Sequence, residues 1–143
     1  MPTTETDAQI INPDMPDVPP HAPNKIHLKD YQPPSFAVET VDLDIKLFDD
    51  HAIVDSTLMM QRQTDGDLVL YGEGLELISI KLNDEILNSE RYTQTDGKLT
   101  ITNAPEYSKL QLQVRIHPHT NTALEGLYIA GSGDDTMFVT QCE

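Results

Sequence analysis

The sequence predicts an all-β protein, a twisted antiparallel β-sandwich or saddle of about eight to ten short strands behind a disordered N-terminal arm. Three observations lead there. Apolar and polar residues alternate with period two over residues 41–47 and 110–117, the pattern of strands with one covered face. Turn-forming groups recur at short spacing: Thr64-Asp65-Gly66, Gly72-Glu73-Gly74, Asn83-Asp84, Asp96-Gly97 and Asn103-Ala104-Pro105. No segment sustains a helical period over three turns, and no internal repeat is visible.

Residues 1–24 carry six of the ten prolines among acidic and small residues, without a period, and read as a flexible, acidic, Pro-rich arm. No P-x-x-P run with basic flanks marks it as a docking ligand. The domain then spans residues 25–143, with order expected from near Phe36, because Pro33-Pro34 holds the preceding chain extended. In the first strand Val41, Leu43, Ile45 and Leu47 share one face and Asp42, Asp44 and Lys46 the other, which predicts a half-buried strand. Asp49-Asp50 turns the chain into residues 52–62, where neither face is clearly polar, so this strand is placed centrally. Residues 68–71 make a short strand, and in residues 75–82 Ile78, Ile80 and Leu82 are expected to share a face. Asn83-Asp84 suits a two-residue hairpin turn into residues 85–87, because both side chains tolerate positive φ. Asp96-Gly97 repeats the device between residues 91–94 and 98–102. Leu110, Leu112, Val114 and Ile116 form a further one-sided strand that Pro118 ends. Two β-rich runs, 126–130 and 136–142, flank Gly131-Ser132-Gly133-Asp134-Asp135 as a hairpin with a five-residue connection.

At 143 residues the chain holds one domain with a proper core. Its net charge of −15 repels phosphates and anionic lipid surfaces, so neither nucleic acid nor membrane is expected as a partner. No apolar run approaches a membrane span, and the N-terminus has neither a basic region nor an apolar core, so a soluble, cytoplasmic protein is expected. The single cysteine, Cys142, cannot form an internal disulfide and fits a reducing compartment. The final run ends on apolar, β-prone residues where a natural terminus usually ends in a polar tail, so the chain reads as cut from something longer.

Candidate chemistry is sparse. His117 and His119 stand two apart, which on a strand would put both imidazoles on one face, but no third ligand accompanies them and Pro118 disturbs the strand. No metal site is therefore assigned. His21, His27 and His51 fall in the arm or a turn and are expected to be solvated. Cys142 has no neighbouring base and is expected to be a small core residue rather than a nucleophile. No catalytic residue is assigned, and residues 121–128 are given a structural role as a strand with its preceding turn.

Asn121-Thr122-Ala123-Leu124-Glu125-Gly126-Leu127-Tyr128, together with Thr140-Gln141-Cys142-Glu143, resembles the end of the N-terminal domain of bacterial aminopeptidase N, in the zinc gluzincin aminopeptidase family. Lys29-Asp30-Tyr31, Pro34 and the alternating run Val41-Asp42-Leu43-Asp44-Ile45 resemble the way that domain begins, so the likeness spans residues 26–143. It departs at residues 129–139, where the connection is longer. The resemblance implies the N-terminal β-domain of an enzyme that removes N-terminal residues from peptides, capping an intramolecular catalytic domain. It implies that zinc belongs to that other domain, because the family's H-E-x-x-H and G-A-M-E-N segments are not in this chain, which alone is expected to bind no zinc and be inactive. It also implies that Glu143 receives the substrate α-ammonium and that Gln141, two positions earlier and on the same strand face, contacts the first substrate residue. The competing reading is a free-standing acidic β-sandwich that serves as a binding module, since the architecture alone carries no function.

Overall fold

The computed structural model describes residues 27–95 and 97–142. The arm expected over residues 1–24 lies outside them, as do Asp96 and Glu143. The chain divides between Gln32 and Pro33 into two units. The described part of the first holds a 3-10 turn, Leu28–Asp30.

The second unit is all-β and antiparallel, as its sequence pattern requires. Its strands are β1 (Phe36–Leu47), β2 (Ala52–Arg62), β3 (Leu68–Tyr71), β4 (Glu76–Leu82), β5 (Glu85–Ile86), β6 (Tyr92–Thr95), β7 (Lys98–Ile101), β8 (Tyr107–Ile116), β9 (Gly126–Ala130) and β10 (Met137–Gln141). They form a five-stranded sheet in the order β1-β2-β8-β4-β5, a three-stranded sheet β3-β7-β6, and a two-stranded ribbon β10-β9. β2 is an interior strand between β1 and β8, in keeping with its two-sided composition, while β8 takes the middle of the sheet. Asn83 and Asp84 take φ of 53° and 68°, the primed turn that a two-residue hairpin needs, and close β4 on β5.

The core lies between the two larger sheets. Met60, Ile80, Leu82 and Leu110 from the larger sheet meet Leu68 and Ile101 from the smaller, with Phe36, Leu87 and Ala104 completing the cluster. Arg62 closes one end: its guanidinium stacks 4.6 Å from the Phe36 ring and donates to the carbonyls of Gly66 and Ala104, each at 2.6 Å. Buried Ser108 donates to the Pro105 carbonyl at 2.9 Å, which removes the cost of an unpaired hydroxyl.

Two bulges reset the alternation read from sequence. Ladder pairs pass from Leu77↔Val114 to Ser79↔Gln113, so Ile78 is an extra residue on β4. Leu77, not Ile78, therefore packs beside Ile80 and Leu82 against the core, and Ile78 is exposed. On β1 the pairs pass from Val38↔Met60 to Thr40↔Met59, which makes Glu39 the extra residue.

The half-buried reading of β1 is corrected in a second way. Val41, Leu43, Ile45 and Leu47 lie opposite Leu58, Ser56, Val54 and Ala52, so they share the core-facing side of the sheet, yet they are 42–59% exposed. The cause is length. A twelve-residue strand spans roughly 40 Å and a four-residue strand roughly 13 Å, so the smaller sheet cannot cover the whole inner face of the larger.

On the opposite face, Asp55 of β2 accepts from Lys46 of β1 and from Gln113 of β8, both at 2.7 Å, tying three strands together. The Lys46 hydrogen bond, followed by that of Gln113, holds the Asp55 carboxyl below the usual carboxylate range. Its folded pKa lies below its unfolded one, so its contribution is present above the ordinary carboxylate value and is lost as pH falls through the depressed one. In acid titrations below about pH 4, Asp55→Asn will therefore show a shallower loss of stability than the parent. Leu110→Ala should cost about 2–5 kcal/mol in chemical denaturation, because Leu110 is fully buried. Leu43→Ala should stay within about 0.5 kcal/mol; equal losses at the two positions would contradict the assignment of the core.

Candidate functional site

Gln141 lies on the β9–β10 ribbon, and residues 121–128 lead into its first strand. Its register is Gly126↔Gln141, Leu127↔Thr140, Tyr128↔Val139, Ile129↔Phe138 and Ala130↔Met137. The connection is shaped by a 3-10 turn, Gly133–Asp135, whose end is held by the Thr136 hydroxyl donating to the Gly133 carbonyl at 2.7 Å. Gly131 takes φ of 91°, and a Cβ there would collide with the Asp135 carbonyl oxygen, so the turn requires glycine.

Gln141 is the last residue of β10, exposed, at the end of the ribbon away from that turn. Glu143 lies outside the described residues. Cys142 follows the strand and is exposed, which corrects the expectation of a small core residue. Among the described residues the ribbon's two strands pair only with each other, and no further strand covers the end of β10 from which Cys142 follows. Met137 and Phe138 are exposed as well.

At the other end of β9, Asn121 uses its whole amide on the approach to the strand. Its Nδ2 donates to the carbonyls of Glu125 at 2.8 Å and Leu127 at 2.9 Å, while its Oδ1 accepts from the Ala123 N–H at 3.1 Å. This residue was read from sequence only as part of a turn. The available signal was an asparagine five positions before a glycine, since Asn organises turns through its own side chain.

The histidine pair does not converge. β8 ends at Ile116, before Pro118, and the two rings part: His117 Nε2 lies 3.6 Å from Glu76 Oε1, whereas the His119 ring meets Phe138 edge-on at 6.1 Å between centroids. His51 is stacked on Phe48 at 4.6 Å and lies 2.6 Å from the Asp50 carboxylate, so it is paired rather than simply solvated. The hydrogen bond to His51 holds the Asp50 carboxyl below its ordinary value. Among the described residues no three of His, Cys, Asp and Glu gather around a point that a cation could occupy. They do not fit the tetrahedral N/S/O set that zinc takes, so no step of a zinc reaction is assigned to them.

A groove of about 650 Å³ opens between the two larger sheets. Leu58, Leu70, Leu77, Leu99, Leu112 and Val114 form its floor, with Glu76 and Lys98 at the margin. An aliphatic floor offers neither nucleophile nor base. Residues of both sheets line the groove.

Comparison with known proteins agrees with the ribbon's sequence signature. No protein-family model matches the chain. The chain is 39% identical over 124 residues to a protein named aminopeptidase N from Caulobacter vibrioides, covering 85% of this chain and 14% of that protein. It is 34% identical over 123 residues to aminopeptidase N of Escherichia coli, covering 85% and 13%. The match to aminopeptidase N of Haemophilus influenzae is 33% over 121 residues, covering 80% and 13%. Among solved structures, Legionella pneumophila aminopeptidase A in complex with aspartic acid superposes with a TM-score of 0.60 at 30% identity, over 71% of this chain and 12% of that one. The chain thus spans no more than 14% of the length of these relatives.

Gly131→Ala tests the ribbon's independence from the sandwich. Strain at a left-handed position together with the collision should cost about 1–3 kcal/mol locally. Amide exchange should quicken across β9 and β10, while β2 and β8 keep the protection of the parent protein.

Proposed function

We propose that this chain, a homologue of aminopeptidase N over 80–85% of its length, is the N-terminal β-domain of a zinc-dependent aminopeptidase that removes N-terminal residues from peptides. The observation that carries this reading is sequence identity of 33–39% to three proteins of that name. The 0.60 TM-score with an aminopeptidase A supports it independently through the fold. In this reading the domain caps an intramolecular catalytic domain that holds the zinc, the enzyme works in the cytoplasm, and this chain's share of the chemistry is recognition of the substrate's free amine.

Glu143 receives the α-ammonium and Gln141 contacts the first substrate residue. An ammonium taken out of water needs compensating charge and hydrogen bonds. A carboxylate supplies both, in a charge-assisted bond worth ~1.5–3 kcal/mol. Such a group measures the end of a chain, because an internal or acetylated nitrogen carries no charge to meet it, and exopeptidase specificity follows. Gln141 adds an amide that donates and accepts, suited to a peptide unit. Gln141 is exposed at the end of β10.

Two measurements test the reading. The gene's reading frame should run past Glu143 into G-A-M-E-N and H-E-x-x-H segments; a stop codon after Glu143 would overturn it. In the full-length enzyme, Glu143→Gln should lower kcat/KM for free peptides by roughly tenfold to a hundredfold. The same variant should reduce the preference for free over N-acetylated peptides and leave the zinc content unchanged. Wild-type kinetics with undiminished discrimination would remove the amine-recognition role.

A further inference from the structure

We infer that Asn121 is a positioning residue for the substrate-facing end of the ribbon, acting on Gln141 through the start of β9; this rests on the amine-recognition reading above. A two-stranded ribbon is marginal in water and frays from its open end. Here the turn around Gly131 closes one end, and the open end is the pair Gly126↔Gln141. Gln141 therefore stands at the ribbon's open end. Asn121 works on that end alone: both hydrogens of its amide go to the carbonyls of Glu125 and Leu127, on either side of Gly126.

The backbone it holds needs holding. Leu124 has φ of 61°, a left-handed conformation that a branched apolar side chain rarely adopts, and its side chain is 58% exposed, so packing supplies little restraint. Asn121 brackets this residue, accepting from the N–H of Ala123 before it and donating to the carbonyl of Glu125 after it. Gly126, at φ of 69°, completes the reversal into β9. One side chain thus fixes two left-handed positions, Leu124 and Gly126, on either side of Glu125, and the first rungs of the strand opposite Gln141. Releasing it lets Leu124 relax and the Gly126↔Gln141 rung open, which moves Gln141 without touching the substrate.

The test uses Asn121→Ala and Asn121→Asp, the latter keeping an acceptor but losing both donors. In this chain, each variant should speed amide exchange at the Gly126 end of β9 and the Gln141 end of β10 by about tenfold, with β2 and β8 unchanged. Adding Leu124→Gly to Asn121→Ala should recover part of the protection, since glycine takes positive φ without strain. Unchanged exchange in the ribbon, or equal acceleration throughout the sandwich, overturns the clamp. In the full-length enzyme, Asn121→Ala should raise KM for free peptides about tenfold, with a smaller change in kcat and weaker discrimination against N-acetylated substrate. A loosened ribbon with wild-type KM overturns the positioning role while leaving the clamp. If Glu143→Gln also keeps wild-type kinetics, it is the amine-recognition reading that fails, and the exchange data still decide what Asn121 does.

Discussion

The unequal size of two facing sheets governs most of this structure. Five strands, the longest of twelve residues, present one inner face to three strands of four residues each. Where the two overlap, apolar side chains reach complete burial, as at Leu68, Ile101 and Leu110. Burial of this kind stabilises by about 25 cal/mol for each Å² of apolar surface removed from water. Beyond the overlap the same face continues with the same apolar pattern but nothing from the small sheet above it. The exposed row on β1 is the consequence of this mismatch.

The outer face is handled differently. It is joined by polar contacts that cross strands, with Asp55 linking Lys46 and Gln113, Asp84 meeting Lys109 at 2.8 Å, and Glu76 meeting Arg115 at 3.3 Å. Pairs as exposed as these contribute little each. They do suit a chain with an excess of carboxylates, since each cation neutralises an acidic group within a strand's reach.

The ribbon of β9 and β10 bears Gln141, one of the proposed recognition residues. Among the described residues it has no third strand, and local devices shape its two ends: a glycine-only turn at one and the Asn121 amide at the other.

Much of the architecture was legible residue by residue. The bounds of β2, β3 and β9 coincide with runs of β-prone residues between turn signals, and the primed turn at Asn83-Asp84 was foreseeable because few residues accept positive φ. These are local properties, determined by side chains within a few positions, and sequence by itself decides them. The candidate site residues were read in another manner: Gln141 and Glu143 came from the likeness of their motif to the aminopeptidase N family, whereas no spacing or periodicity marked them. What only the tertiary structure decided is non-local. Alternation shows that Val41, Leu43, Ile45 and Leu47 share a face, but whether that face is covered depends on the length of strands elsewhere in the chain. The bulges at Glu39 and Ile78 arise from pairing with β2 and β8, so no local pattern announces them. Cys142 is exposed and the two histidines part because the ribbon and the end of β8 point their residues into different surroundings. Period and turn chemistry are written in neighbouring residues, while burial is set by whatever the rest of the chain brings alongside.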